Sequence, residues 1–307
     1  MTATSLPVLN PQPGLYPTPF RWNFKGRVIA VDNGAGLVTR KDFAALMALD
    51  ALSVITFDPA SRLHGSNVAQ QQPHLQVFAG VSLGDGVAAT LNACLDPELS
   101  GTLALLPPDQ LPADLQAAAQ VLARVPVNSL RLDSIEGLSS IDWLLLDGHH
   151  DAMAILRNAS ASLENTLVVQ VRTQFAPTHE HSAEFGQLCQ LLAEHGLQFY
   201  RFNNPTYLSQ FPARLKLEHS PASQLQAANA LFVPSRARLE QLAAQRRLKL
   251  AFILDAAYAA HDLAYSCIAS IDEGQAQAYL EARHYVNGDN DPHTRFTLTA
   301  EYSPAPW

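Results

Sequence analysis

The sequence predicts an α/β protein built on a mostly parallel, doubly wound sheet, and three observations carry that prediction. Short apolar or β-branched runs alternate with segments of helical spacing from residue 27 to residue 202. Trp143-Leu144-Leu145-Leu146 is apolar throughout, as a strand covered on both faces must be. The first run ends in a glycine-containing turn, Asn33-Gly34-Ala35-Gly36, the kind of turn that hands a strand over to a helix in such sheets.

The elements follow in order. Residues 1–22 contain Pro7, Pro11, Pro13 and Pro17 and predict an extended arm. Residues 27–32 predict a first strand. Residues 41–49, with Phe43, Leu46 and Met47 at helical spacing, predict a helix. A second buried strand covers 52–57 and is closed by Asp58-Pro59; 76–81 and 87–93 are strand segments around a Gly84-Asp85-Gly86 turn. From 96 to 125 the rhythm breaks, and the Ala-rich half from 113 predicts a helix. After the apolar strand, residues 151–163 place Ala152, Ile155, Leu156, Ala159 and Leu163 on one helical face. A strand at 166–171 follows, then a helix capped by Ser182 and ended by Gly196, then a strand at 197–202.

Beyond Asn204 the character changes. Ser235 caps a helix through Leu239 and Leu242, apolar residues continue over 248–265, and 275–283 adds a helix. A loop at 286–293 precedes a late strand at 294–302. The domain reading is an arm over 1–22, a Rossmann-like core over 23–204, and 205–307 holding the last sheet elements plus a helical extension.

Composition narrows the function. Hydrophobic residues make up 48% and charged residues 16%, enough to bury a sizeable core. A formal charge of −8 without a Lys/Arg block argues against a nucleic-acid partner. Cys94, Cys189 and Cys267 are far apart and odd in number, which reads as buried thiols rather than a disulfide framework. No run approaches the roughly 20 apolar residues of a membrane span, and the start lacks signal-peptide character. The expected compartment is the cytoplasm, with no membrane partner.

Ligands of doubly wound sheets bind at the carboxyl ends of the strands. That rule singles out Asp32, Asn33, Gly34, Ala35 and Gly36 after the first strand, Asp58 after the second, Asp85 in its turn, and Asp147 to Asp151 after the fourth. A carboxylate at position 58 is placed for ribose hydroxyls; its structural alternative is an Asp-Pro turn capping the next segment. The spacing at 32–36 is not the GxGxxG dinucleotide fingerprint, which argues against a nicotinamide cofactor.

From residue 28 to about 202, and less strongly to about 283, the chain resembles the FkbM family of S-adenosylmethionine-dependent methyltransferases. The likeness rests on ordered segments: VIAVDNGAG, SVITFDPASRL, FAGVSLGDGVAATLNAC, VNSLRLDSIEGLSSIDWLLLDG, AILRNASASLENTLVVQVRTQF, EFGQLCQLLAEHGLQFYRF and a tail, ALFVPSRARLEQLAAQRRLKLAFILDAAYAAHDLA. It implies a Rossmann-like class I methyltransferase fold with a helical C-terminal extension. It also implies S-adenosyl-L-methionine as cofactor and methyl transfer to a hydroxyl of a sugar or natural-product acceptor. By position, Asp32, Gly34 and Ala35 would line the methionine end, Asp58 would take the ribose, and Asp147 would sit at the reacting edge, with Asp147 or His150 as the base.

Two segments depart from the family pattern. LLDGHHD lacks the family's lysine, carries Gly148 next to Asp147 and adds histidines; acids frequent on the fifth strand are replaced by Gln170 and Arg172. These departures motivate an alternative, a catalytically inactive member serving as a binding or scaffolding subunit. The histidines suggest a separate idea: Asp147 and His150 with His179 or His181 from the next loop would suit a divalent metal, the alternative being solvated loop histidines. A metal-dependent enzyme that has abandoned the methyl donor is a third reading. Trp22 and Trp143 read as packing residues. The apolar stretch 248–268 is a candidate face for a homo-oligomer or protein partner.

Overall fold

The computed structural model describes residues 20–112, 115–138, 140–209, 211 and 222–286. Its strands are β1 (Val28–Asn33), β2 (Leu52–Asp58), β3 (Leu75–Ala79), β4 (Val81–Leu83), β5 (Ala89–Cys94), β6 (Val121–Leu130), β7 (Trp143–Leu146), β8 (Val168–Gln174), β9 (Leu197–Leu208) and β10 (Gln224–Pro234). The helices are α1 (Phe43–Ala48), α2 (Val68–Gln71), α3 (Ala152–Arg157), α4 (Ser160–Asn165), α5 (Phe185–Glu194), α6 (Arg236–Gln241), α7 (Ala244–Tyr258), α8 (His261–Ala269) and α9 (Glu273–Ala282).

Seven strands form one sheet in the order β3-β2-β1-β7-β8-β10-β9. From β3 to β8 every pairing is parallel, and β10 runs antiparallel to both of its neighbours. This is the Rossmann-like class I methyltransferase fold, with a reversed last strand inserted beside the edge. The chain winds outward from β1 through β2 to β3, then returns to β7 on the other side. The switch point therefore falls between β1 and β7, where a crevice opens at the carboxyl edge.

The sheet is covered on both faces. On one, Val28, Ala30, Trp143 and Leu145 pack with Phe43, Leu46 and the apolar residues of α7, α8 and α9. On the other, Val31, Leu144, Leu146, Val169 and Val171 pack with α3, α4 and α5. Trp143 is a packing residue as expected, its Nε1 donating to Tyr258 Oη at 2.9 Å. Trp22 also packs, edge-on to Phe252.

The apolar stretch read as a partner face is inside. Leu248, Leu250, Phe252, Ile253, Leu254, Cys267 and Ile268 are all buried in this core, because α7 and α8 roof one face of the sheet. No described helix is long and apolar enough to cross a membrane. Two of the cysteines, Cys94 and Cys267, are buried, and Cys189 is half-buried.

Two local expectations are corrected. The helix predicted over 113–125 is absent from its described part; residues from 121 onward form β6, which pairs with β5 and β4 in a three-stranded sheet. Val121, Val125 and Val127 favour the pleated state, and the partner strands lie 27 or more residues away by register, out of reach of any local reading. The helix predicted over 151–163 is split into α3 and α4. Asn158 turns its Nδ2 back onto the Ala154 carbonyl at 2.9 Å, which ends the first helix. The late strand at 294–302 lies outside the described residues.

Candidate functional site

Register sets the site. Asp32 lies opposite Thr56 on β2 and Leu145 on β7, so Asp58 and Asp147 emerge just beyond the strand ends on either side of the β1 turn. Gly34 makes this possible. It sits at φ +107°, and a Cβ there would run into the Asp147 carboxylate. The turn is thus pressed directly against the end of β7.

Asp32 is buried, with Oδ2 accepting from Leu37 N at 2.8 Å. Burial, aided by the charge of Asp147 and resisted by the Leu37 N–H, pushes its carboxyl up to about 7. Asn33 is buried too, its Oδ1 accepting from Leu83 N at 2.8 Å and so tying β4 to the turn. Gly36 is exposed toward the cleft, whereas Ala35 is fully buried at φ 60°.

Asp58 is turned onto its own loop. It is 1% exposed, and its two oxygens accept from Arg62 N and Leu63 N at 2.8 Å each. That is the turn-capping role, and it corrects the picture of a free ribose acid. Arg62, thus positioned, lays its guanidinium across the crevice: Nη1 donates to the Gly34 carbonyl at 3.0 Å and lies 3.6 Å from Asp147 Oδ2. Asp85 is a second correction. It is exposed on its own turn, accepting from Val87 N at 2.9 Å, and does not line the cleft.

Asp147 accepts from His149 N through Oδ1 at 3.0 Å. Burial opposes its ionisation, but His150, His149 and Arg62 outweigh burial and hold its carboxyl below the usual range. His150 is not at the cleft surface. Its Nδ1 accepts from Thr102, 2.9 Å from Oγ1 and 3.4 Å from the backbone N–H, so the proton resides on Nε2, facing Asp147 Oδ2 at 3.7 Å. A buried imidazole with its lone pair already engaged is a positioning group, which corrects its assignment as the base. His149 lines the cleft instead, and burial pulls its ring down to about 4.

The expectation that the two histidine loops meet holds for a different pair. β7 and β8 are neighbours, and the rings of His149 and His179 touch at 5.0 Å between centroids. The metal set does not assemble. His179 shares Nδ1 with Thr178 Oγ1 at 2.9 Å and donates Nε2–H to the Leu99 carbonyl, leaving no lone pair for an ion. His181 is exposed on the turn beyond. Among the described residues no group of three or more His, Cys, Asp or Glu could hold a metal.

The cleft itself, about 390 Å³, is lined by Asp32, Gly36, Thr39, Arg40, Arg62, Asp147, His149, Gln170, Arg172 and Asn229 among others. It continues through Arg40, Gln170 and Asn204 into a larger groove of about 1080 Å³ under the C-terminal helices, with Trp22, Tyr258, His261 and Arg283 in its wall. Sequence reasoning missed Arg62, Arg40 and Thr102. Arg62 had one local signal, its place four residues after Asp58; its long-range contacts had none.

Buried polar atoms without a hydrogen-bond partner gather here. Asn33 Nδ2, Arg62 Nε, Asp147 Oδ2, His149 Nδ1 and His150 Nε2 are five of the eight such atoms among the described residues. Each costs on the order of 1–3 kcal/mol if left unmet, so the concentration marks this edge as the place that a ligand would complete. The fit to an adenosyl-methionine is divided. The methionine end has an open cleft beside Gly36; the adenosine end, as arranged, is filled by Arg62 and by the capped Asp58.

The raised carboxyl of Asp32 gives a direct test. Below about pH 3 it is protonated in both folded and unfolded chains and contributes nothing. From there to about pH 7 stability should fall, and above pH 7 the full penalty of roughly 2–4 kcal/mol applies. Asp32→Asn should therefore match wild type in urea titrations near pH 3 and exceed it by about that amount near pH 8. An unchanging difference across the range would show that Asp32 is not held protonated.

No family model and no curated protein matches the chain. Solved structures similar to it include a precorrin-6y C5,15-methyltransferase from Geobacter metallireducens (9% identity, 70% of this chain and 83% of that one, TM-score 0.34). A S-adenosylmethionine-dependent methyltransferase from Aquifex aeolicus is similar at 8% identity, over 69% and 85% of the two chains, TM-score 0.32. A 16S rRNA adenine methyltransferase from Catenulisporales acidiphilia is similar at 12% identity, over 69% and 88%, TM-score 0.32. The fold assignment stands on the strand order and direction of the sheet itself.

Proposed function

We propose that this chain is a S-adenosylmethionine-dependent methyltransferase acting on a hydroxyl of a glycan or natural-product acceptor, in keeping with the FkbM likeness of its sequence. The observation that carries the reading is the cleft at the β1–β7 switch point, where the Gly34–Gly36 turn, Asp147 and His149 converge. When bound, the cofactor would supply an electrophilic methyl group on a sulfonium. Gly36 and Asp32 would border its methionine end. Asp147 and His149 are both held in proton-accepting form near neutral pH, which suits removal of a hydroxyl proton. The adjoining groove mixes aromatic walls with Asn203, Asn204 and His261, the surface a polyhydroxylated acceptor would meet.

A second reading, a non-catalytic binding subunit, is favoured by one observation: Arg62 occupies the crevice that the adenosine would enter. Calorimetry with S-adenosylmethionine and S-adenosylhomocysteine separates the two. The enzyme reading expects binding by wild type and about tenfold tighter binding by Arg62→Ala, since removing the guanidinium removes its competition for the site. Binding only in Arg62→Ala would favour the subunit. Binding in neither protein would sink both the cofactor and the methyl-transfer reading.

A further inference from the structure

We propose that Arg172 is a carboxylate receptor, holding an anionic group of whatever ligand occupies the cleft; the inference rests on the methyltransferase reading only for the identity of that ligand. Arg172 rises from the middle of β8 into the cleft, half-buried. Its guanidinium is oriented by neutral groups. Nη1 donates to the Asn204 carbonyl at 2.9 Å and lies 3.4 Å from Asn229 Oδ1, and Nη2 donates to Thr206 Oγ1 at 3.1 Å. Among the described residues no carboxylate lies within ion-pair distance. The other cleft arginines differ: Arg40 is paired with Asp42 at 2.6 Å, and Arg62 faces Asp147.

A partly buried guanidinium surrounded by neutral acceptors keeps its full charge with no counter-ion, and burial accordingly lowers its affinity for its own proton. Such a group is rarely tolerated without a role, because an unpaired buried charge is destabilising. Three fixed hydrogen bonds also remove most of the rotamer freedom that binding would otherwise have to quench, so the planar fork is pre-organised. The neighbouring chain has adapted to it. A Cβ on Gly148 would lie 3.2 Å from Arg172 Cγ, so the glycine beside Asp147 makes room for the arginine stem. Gly148 and Arg172 thus form one packing unit at two of the positions where the sequence departs from the family pattern.

Two ligands could supply the carboxylate: the amino-acid end of the methyl donor, or an acidic acceptor such as a uronic acid. Calorimetry on wild type, Arg172→Gln and Arg172→Lys distinguishes them, with S-adenosylhomocysteine, 5′-methylthioadenosine, glucuronate and glucose as probes. One of the two carboxylate probes should weaken about tenfold or more in Arg172→Gln, while the two probes lacking a carboxylate bind wild type and variant alike. Loss in the S-adenosylhomocysteine arm assigns the donor; loss in the glucuronate arm assigns the acceptor. Arg172→Lys, which keeps the charge and the stem over Gly148 but not the fork, should fall between the two and serves as the reading if the glutamine variant does not fold. Glucuronate binding that depends on Arg172 without any S-adenosylhomocysteine binding would uphold the receptor and remove the methyltransferase reading. No carboxylate binding by wild type, unchanged affinities in both variants, or equal weakening of charged and uncharged probes would overturn the proposal.

Discussion

Asp147→Asn should lower methyl transfer by about 10²–10⁴-fold while S-adenosylhomocysteine still binds. The substitution is close to isosteric, and the amide oxygen can still accept from His149 N, the bond that fixes the loop after β7. What is lost is the negative charge at Oδ2, which faces Gly34, Arg62 and His150 Nε2 together. Arg62 then loses its one ion pair among the described residues, and the crevice it covers should open more readily. Kinetically, the mark of Asp147 acting on the proton is a fall in kcat without a rise in the dissociation constant. The measurement is S-adenosylhomocysteine formed with a panel of mono- and oligosaccharides. Because Asp147 lies below the usual carboxylate range and His149 near 4, wild-type activity should stay level from alkaline pH down to about 5 and fall only below it. A fall beginning near pH 7 would instead assign the proton step to Asp32, whose carboxyl titrates there. Full activity in Asp147→Asn would place the chemistry elsewhere.

How far the sequence reveals this arrangement depends on the range of the interactions involved. β1, β2, β7 and β8 are legible because each is a short apolar run bounded by polar turns, and buried parallel strands need little else. Their carboxyl ends locate Asp32, Asp58 and Asp147 without coordinates. The direction in which each carboxylate is used is not legible. Asp58 is turned to its own loop by two backbone N–H groups that any Asp-Pro turn can offer. His150 and His149 are adjacent in sequence, yet one is locked by Thr102, 48 residues away, and the other faces the cleft. β6 failed as a helix for the same reason: its partner strand, not its composition, decides its state. The 248–268 stretch shows the limit of composition in the other direction, since apolar residues identify a buried surface without saying whether the chain itself buries it.

The largest stability effect should come from the opposite edge of the same strand. Asp142 immediately precedes β7 and has no exposed surface, yet it is fully engaged. Oδ2 accepts from Ile29 N at 2.9 Å and from Lys249 Nζ at 2.8 Å, and Oδ1 from Arg246 Nη1 at 2.5 Å. Its backbone N–H and carbonyl continue the pairing with β1 and the start of β8. One carboxylate therefore joins the amino ends of two strands to α7, the helix that roofs this face of the core. Replacing a charge buried between partners leaves those partners unsatisfied, so Asp142→Ala should cost about 3–5 kcal/mol. Lys249→Met should cost far less. Asp142 would keep Arg246 and the Ile29 N–H, and the methionine still fills the path of the lysine stem. The pair of variants separates a charge anchored by three partners from a simple count of ion pairs, which would predict similar losses. Urea unfolding near neutral pH reads both values. Equal midpoints for the two variants would mean that Asp142 holds no more than one of its bonds in solution, and that α7 is fixed to the sheet by its apolar face alone.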